Sequence, residues 1–383
     1  MQLGCGITGL VCAELLEKNE KVDEIVLADN WTKPAEDMKR RVKSDKLSVA
    51  RVDASDIEAV KKLVKGADIL VCAVPFRMIF KVMQAVIPLG VNYIEFSSSD
   101  EHAEALAKLR KMCKDSGAIA ITAMGSDPGI SDVFARYAAN KLDRPEEAYV
   151  RDGDNGSAEG YEFFSLWSPV DMLEEVTVPA AVFRNGKIEY LPPLHEREIY
   201  EFPEPIGPLP VYNTLHEETF LMSQFIKGIK RADFKIAVDD GFAKTATMLR
   251  KMGMASLEPV DVKGVKVRPI DVVVSLMPRP TDLAGKVKGQ AGIVAEVIGW
   301  KDGKRKMVKV WSIMSHEDAW RIARSSATGF MVGAGGALGA GMILDGSVKE
   351  PGFYVPEQLP AEEFVRRLPT VHLEAKEEVK DLG

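Results

Sequence analysis

The chain has 383 residues, of which 46% are hydrophobic and 28% are charged, and its formal net charge is −7 at pH 7. This length exceeds the usual size of a single hydrophobic core, so two domains are expected. The acidic balance argues against nucleic acid as the main partner, because phosphate binding needs clustered lysine and arginine.

The first predicted element is a glycine-rich turn. Gly4-Cys5-Gly6-Ile7-Thr8-Gly9 has G-x-G-x-x-G spacing, and helix-like sequence follows, then an apolar run that ends at Asp29. In a dinucleotide-binding fold the three glycines make the turn, admit the pyrophosphate and allow close packing of helix on strand. The helix N-terminus offers N–H groups to the phosphates, and the acid can bond a ribose 2′-hydroxyl. The pattern predicts an NAD site, and the alternative is a glycine-rich surface turn.

Strands and helices alternate through the rest of the first third. The predicted strands are Leu47–Val52, Asp68–Val74, Asn92–Phe96 and Ala118–Ala123. The predicted helices are Ala35–Lys46, a segment capped by Ser55 and Glu58 that reaches Val64, Met78–Ile87 and Glu101–Ser116. Such alternation is typical of an α/β fold with a Rossmann-type, doubly wound parallel sheet.

From about Asp127 the pattern changes to a second, α+β domain with a mixed or antiparallel sheet. Its predicted strands are Ala148–Arg151, Tyr161–Leu166, Ala181–Phe183, Val272–Met277, Gly292–Gly299 and Met307–Ile313. Asp302-Gly303 predicts a hairpin between the last two strands. Ser168 and Ser315 are predicted helix caps. The proline-rich stretch Pro192–Pro210 is predicted to be a loop.

Two features bear on membranes and metals. Thr328–Leu344 has no charge, but it is short for a membrane span and rich in glycine, so we expect a buried, closely packed helix. The four cysteines form no C-x-x-C pair and the five histidines are scattered, which predicts reduced thiols and no metal site. With no visible signal peptide, a cytoplasmic protein without membrane or nucleic-acid partners is expected.

Several segments together resemble the saccharopine dehydrogenase family, including its lysine 6-dehydrogenase branch. The most specific are Gly125-Ser-Asp-Pro-Gly129, Trp167-Ser-Pro169 with Asn185-Gly-Lys187, Thr328-Gly-Phe330 and Gly352-Phe-Tyr-Val-Pro-Glu357. The resemblance implies an NAD(P)-dependent oxidoreductase that acts on a C–N bond of an amino acid. It also implies that the C-terminal segment returns to the nucleotide domain. The expected domains are thus 1–126 completed by about 327–370, a substrate and dimerisation domain 127–326, and a tail 371–383.

The sequence departs from the family in one segment. Where family members carry an arginine-containing motif, this chain has Phe234-Lys-Ile-Ala-Val-Asp-Asp-Gly-Phe242. Phe242 occupies the position at which the lysine dehydrogenase branch has a histidine. Without a bidentate cation for a carboxylate, lysine or a lysine-like amine is expected to be a better substrate than saccharopine.

The catalytic candidates are Asp127, His216 and Tyr161. Asp127 lies beyond a predicted strand end, where ligands of parallel sheets bind, and otherwise caps the next helix. His216 can exchange a proton near neutral pH, and otherwise is a surface or interface histidine. Tyr161 is otherwise a core aromatic residue. Arg151 and Lys244 are weaker candidates for holding a carboxylate.

The candidate cofactor-binding residues lie at predicted strand ends and in the glycine turn. They are Gly4, Gly6, Ile7, Thr8, Gly9, Asp29, Asn30, Asp53, Ala54, Ala73, Val74, Pro75 and Ser97. Ser97 contacts the nicotinamide side or caps a helix. The cofactor expected from them is NAD, with NADP also possible. A homodimeric dehydrogenase of a small amino-acid substrate is expected, and the alternative is a nucleotide-binding regulatory or scaffold protein that has lost catalysis.

Overall fold

The structure, a computed structural model, describes residues 1–97 and 100–383, without the side chains of residues 100–104. Its strands are β1 (Gln2–Leu3), β2 (Ile25–Asp29), β3 (Leu47–Arg51), β4 (Ile69–Cys72), β5 (Asn92–Glu95), β6 (Ile119–Ile121), β7 (Arg144–Asp154), β8 (Ala180–Arg184), β9 (Lys187–Leu191), β10 (His195–Phe202), β11 (Gly207–Asn213), β12 (Arg231–Ala237), β13 (Val260–Val262), β14 (Val265–Val267), β15 (Gln290–Lys301), β16 (Lys304–Ser315), β17 (Gly352–Tyr354) and β18 (Lys376–Asp381).

The α-helices are α1 (Ile7–Glu17), α2 (Lys33–Val42), α3 (Ile57–Val64), α4 (Phe76–Val86), α5 (Asp100–Ser116), α6 (Ile130–Asn140), α7 (Pro169–Glu175), α8 (Glu218–Phe225), α9 (Asp240–Lys251), α10 (Pro269–Leu276), α11 (Pro280–Leu283), α12 (His316–Ala323), α13 (Ala327–Leu344) and α14 (Ala361–Arg367). Single 3₁₀ turns follow at Ile87–Leu89, Pro356–Gln358 and Leu368–Val371.

The chain divides into two compact units. The first comprises Met1–Tyr137 and Phe330–Ala375, and the second comprises Ala138–Gly329 and Lys376–Gly383. The first boundary thus falls after Tyr137, whereas the sequence placed it at residue 126. The reason is α6, whose Arg136 Nε donates to the backbone carbonyl of Glu357 at 2.7 Å inside the first unit.

The first unit is a doubly wound parallel sheet, as the sequence predicted. Its seven strands have the order β17-β6-β5-β4-β1-β2-β3, and every pairing is parallel. The strand order reverses at β1, which lies between β4 and β2. Ligands of such sheets bind outside the carboxyl ends of the strands at this reversal.

The glycine-rich segment forms α13, a helix long and apolar enough by composition to cross a membrane. It has a mean hydropathy of 1.5, and 78% of it is buried inside the protein. A Cβ at Gly333 would lie 2.7 Å from the Thr8 carbonyl oxygen, and one at Gly335 would overlap that of Gly125. Both contacts lie within the first unit, so the expectation of a buried, closely packed helix is confirmed.

The second unit is built on a mixed sheet of nine strands. Seven follow the order β10-β11-β12-β7-β15-β16-β18, and β8 pairs with β12 and with β9. Only β12 and β7 pair in parallel. β15 and β16 form the predicted hairpin, with Lys301 opposite Lys304 across the Asp302-Gly303 turn. Ser168 and Ser315 cap α7 and α12 as predicted.

Other predicted elements were wrong. Tyr161–Leu166 forms no strand. Val272–Met277 is not a strand either, because most of it lies in α10, a helix that begins at Pro269. Pro192–Pro210 contains all of β10 and part of β11. The prolines within a strand, Pro208 and Pro210, are tolerated because this part of β11 pairs only with β10, and pairing with β12 begins at Val211. The cap of α3 is Asp56 and not Ser55, because the Asp56 carboxylate accepts the Ala59 N–H.

The predicted tail 371–383 is also structured in part. Lys376–Asp381 forms β18, which pairs antiparallel with β16. Each of its residues is exposed and five of the six are charged, a composition that discourages further pairing at a sheet edge. Alternation of exposed lysine and glutamate gave no apolar signal from which this strand could be predicted.

Candidate active site

The glycine turn has the geometry that a dinucleotide requires. Gly4 has φ +88°, and a Cβ there would overlap the Ala73 carbonyl oxygen at the end of β4. A Cβ at Gly9 would overlap the Gly4 carbonyl oxygen. At Gly6, by contrast, nothing lies within 4 Å of such an atom. Two glycines therefore close the turn, and the third leaves open space at the uncapped N-terminus of α1, where a pyrophosphate fits.

Asp29, at the carboxyl end of β2, holds the turn in place. One carboxylate oxygen accepts the Cys5 N–H at 2.6 Å, and the other accepts the Trp31 N–H at 2.9 Å. Asn30 lies between Asp29 and Trp31 in the chain. The sequence indicated a ribose-binding role for Asp29, but it gave no signal of this second, structural role.

The remaining cofactor candidates follow the neighbouring strands at the same edge. Asp53 and Ala54 come after β3, and Ala73-Val74-Pro75 come after β4. Asp53 accepts both the hydroxyl and the backbone N–H of Ser55, at 2.7 and 2.8 Å, and these bonds lower the pKa of its carboxyl. Ile7 and Thr8 form the first turn of α1.

Beyond β5 and β6, a buried carboxylate joins two loops. Glu95 is fully buried; it accepts the backbone N–H of Ser97 at 2.7 Å and of Ala123 at 3.0 Å, together with the Thr122 hydroxyl. The half-buried Asp127 follows in the loop where the Gly125 N–H donates to the Pro128 carbonyl at 2.8 Å. Glu95 thus fixes the position of Ser97. Sequence reasoning missed this role of Glu95 because an acid near the end of an apolar strand resembles the solvent-exposed residue at which a strand ends.

A cleft of about 460 Å³ opens in the second unit, and its walls are aromatic and acidic. The rings of Phe163 and Phe242 stack in it with centroids 4.7 Å apart. Its other aromatic and charged lining residues are Tyr161, Phe164, Glu162 and Asp239. No basic side chain is among the described residues that line it. Carboxylates and aromatic faces both attract ammonium groups, so the cleft suits a cationic amine.

A buried histidine, His316, supports one wall of this cleft. His316 accepts the Ala327 N–H at Nδ1, 3.1 Å away, so its Nε2 carries the proton and donates to Asp154 at 3.0 Å. The same carboxylate accepts the Gly156 N–H at 2.6 Å and the Thr328 hydroxyl at 3.0 Å. Because Gly156 lines the cleft, this network shapes its wall.

Replacing His316 with leucine is expected to lower the thermal midpoint by roughly 5 °C, because it removes two buried hydrogen bonds worth together about 2 kcal/mol. The control is His195→Leu, at an exposed position, with an expected change of about 1 °C or less. Differential scanning fluorimetry on both variants measures this. Equal midpoints for the two would show that the Asp154 network contributes nothing to stability.

His216 lies elsewhere in the second unit, and it does not line the cleft. Its ring stacks on Phe234 with centroids 3.9 Å apart, and its Nδ1 contacts the fully buried Glu218. Burial alone would lower the pKa of His216, but Glu218, Glu175 and Glu217 raise it well above the usual value. The neighbouring carboxylates thus favour the protonated form of the ring, which contacts Glu218 through Nδ1. The assignment of His216 as a base stays a prediction, as do those of Asp127 and Tyr161.

A doubly wound sheet with a glycine turn of this geometry at its point of reversal is typical of a dinucleotide-binding protein. The saccharopine dehydrogenase NADP binding domain matches residues 1–121, and the saccharopine dehydrogenase C-terminal domain matches residues 125–370. The chain belongs to the saccharopine dehydrogenase family. It is an NAD(P)-dependent oxidoreductase of that family, as the resemblance implied.

Relatives and a solved structure extend this assignment. The chain is 28% identical to carboxynorspermidine synthase of Vibrio cholerae, covering 97% of this chain and 95% of the relative. It is 27% identical to carboxyaminopropylagmatine dehydrogenase of Synechocystis sp., covering 96% and 94%. Its fold matches that of saccharopine dehydrogenase (L-Glu forming) from Saccharomyces cerevisiae, with a TM-score of 0.75, 16% identity, and coverage of 99% and 98%.

Preference for NAD over NADP stays a prediction that rests on Asp29. Asp29→Asn is expected to narrow the difference in Kd between the two cofactors by about tenfold, because it removes the charge that repels a 2′-phosphate. The asparagine oxygen can still accept one of the two backbone N–H groups, so the turn is retained. Calorimetric titration of both cofactors measures this, and tighter binding of NADP by the unaltered protein would contradict the prediction.

Proposed function

We propose that the protein catalyses NAD(P)-linked formation or cleavage of a C–N bond in a polyamine that carries a carboxylate. The observation that supports this is the composition of the cleft around Phe242, which offers Glu162 and Asp239 and, among its described lining residues, no cation. A polyamine is cationic along its length, whereas saccharopine carries several carboxylates that would need basic partners. The names of the Vibrio cholerae and Synechocystis relatives describe carboxylated amines of this class.

Within the cleft the residues divide into two roles. The carboxylates of Glu162 and Asp239 hold an ammonium group, while the stacked rings of Phe163 and Phe242 cover its methylene chain and exclude water. The bound nicotinamide supplies or accepts the hydride. Asp239 keeps its orientation because it also caps α9, accepting the N–H groups of Gly241 and Phe242 at 2.7 and 2.9 Å.

The test compares carboxynorspermidine, lysine and saccharopine as oxidisable substrates, with NAD and with NADP, by the absorbance of the reduced cofactor. The highest kcat/KM is expected with carboxynorspermidine, and a higher value with lysine than with saccharopine. A clear preference for saccharopine would overturn the proposal. Cofactor binding without reduction by any of the three would support the alternative of a regulatory or scaffold protein. The homodimer and the cytoplasmic location stay predictions.

A further inference from the structure

A second cavity, of about 350 Å³, opens on the mixed sheet of the second unit and shares no lining residue with the aromatic cleft. Its walls come from β7, β8, β10, β12 and β15. Four basic and four acidic side chains line it, together with Tyr149 and Tyr200. The basic ones are Arg151, Arg184, Arg231 and Lys235.

Two of these cations are buried side by side. Arg151 and Lys235 are register partners on the parallel strands β7 and β12, and they are 6% and 5% exposed. Like charges on neighbouring strands repel, so they need a shared anion. Glu198 supplies it, with one carboxylate oxygen 3.6 Å from Arg151 Nε and 3.1 Å from Lys235 Nζ. That carboxylate reaches in from the edge strand β10 and is 44% exposed.

The cations retain capacity for a further acceptor. Arg151 donates through Nη1 to Asp233 at 2.6 Å, and its buried Nε, 3.6 Å from the Glu198 carboxylate, forms no hydrogen bond. Arg231, on the same cavity wall, forms no ion pair with a described residue. A buried guanidinium N–H without an acceptor is unfavourable, and a carboxylate can accept from such a group with the geometry that arginine prefers.

We propose that this cavity binds a small α-amino acid as a zwitterion. The amino-acid carboxylate lies against the exposed guanidinium of Arg231, and its ammonium group lies against the half-exposed carboxylate of Glu198 and against Glu296, which also pairs with Lys309 Nζ at 2.8 Å. Because the lining cations and anions are equal in number, a zwitterion adds no net charge to the cavity, whereas a dicarboxylate or a polyamine would. A volume of about 350 Å³ is within the range of small-molecule sites.

The test is calorimetric titration of the full protein, without nicotinamide cofactor, using three matched probes. L-Alanine carries both charges, propionate lacks the ammonium group and ethylamine lacks the carboxylate. L-Alanine is expected to bind at least about tenfold more tightly than either of the others, since each removes one set of charge-assisted hydrogen bonds. Binding of all three with equal affinity, or of none, would overturn the proposal.

Variants locate the binding. Arg231→Gln, at an exposed position, is expected to weaken L-alanine binding by about tenfold. Arg144→Gln, on the same sheet but outside the cavity, and Glu162→Gln, in the aromatic cleft, are expected to leave it unchanged. The Glu162 result separates this site from the proposed substrate cleft. The assignment of this cavity would be refuted if Arg231→Gln bound L-alanine with unchanged affinity, or if Glu162→Gln lost affinity for L-alanine. It would also be refuted if the cavity were covered in a dimer that dissociates in Arg231→Gln.

Discussion

The Gly6→Val protein is expected to fold normally and to show no detectable binding of NAD or NADP. Gly6 has φ −73°, which valine can adopt, and nothing within 4 Å opposes a Cβ there. The side chain instead fills the space that the pyrophosphate needs at the N-terminus of α1. Calorimetric titration measures the binding, and circular dichroism with the thermal midpoint reports the fold.

Gly9→Ala is the matched contrast, because its Cβ would overlap the Gly4 carbonyl oxygen and lie 2.7 Å from Gln2 Nε2. We expect Gly9→Ala, although it is the smaller substitution, to lower the thermal midpoint, and we expect Gly6→Val to leave the midpoint unchanged. Gly6→Ala should weaken binding less than valine does. If folded Gly6→Val protein bound either cofactor with unaltered affinity, the nucleotide site could not be at this turn.

The second large effect is expected in the aromatic cleft. The double variant Glu162→Gln, Asp239→Asn should lower kcat/KM for a cationic amine about a hundredfold, mainly through KM, because two partners of the ammonium groups lose their charge. Asparagine at 239 can still cap α9, so the helix is preserved. Steady-state kinetics with carboxynorspermidine or lysine measures the change.

The control for this experiment is Glu159→Gln. Glu159 is exposed and only three positions from Glu162, but it does not line the cleft. Its replacement alters the net charge without altering the site, and kcat/KM is expected to stay within about twofold. Equal losses from the control and from the cleft variants would indicate long-range attraction of the amine rather than binding in the cleft.

The parallel sheet could be predicted because its signals are local. Apolar runs such as Asp68–Val74 end in turn residues, and the glycine spacing identifies the turn that binds the nucleotide. The second unit was harder because its sheet is mixed and its strands are irregular. The valines of Val272–Met277 favoured a strand by propensity, yet Pro269 begins a helix there, and the edge strand β10 lies within a stretch that prolines mark as a loop.

The geometry of the candidate site could be predicted only where it depends on the backbone near a motif. Gly4, Gly6 and Gly9 have the expected geometry because each role follows from the absence of a Cβ. The bond between His316 and Asp154 joins residues 162 positions apart, and no local pattern reports it. Likewise, Asp29 looks the same in sequence whether it bonds a ribose or holds the Cys5 N–H.

Each unit contains two separate segments of the chain, and this arrangement has a consequence for synthesis on the ribosome. The first unit lacks its edge strand until Gly352–Tyr354 pairs with β6, and the second lacks its own until Lys376–Asp381 pairs with β16. Neither sheet can be completed while the last residues of these segments are still inside the exit tunnel. The nascent chain must therefore carry two open sheet edges until these segments have left the tunnel, so chaperones that shield such edges should associate with it before then.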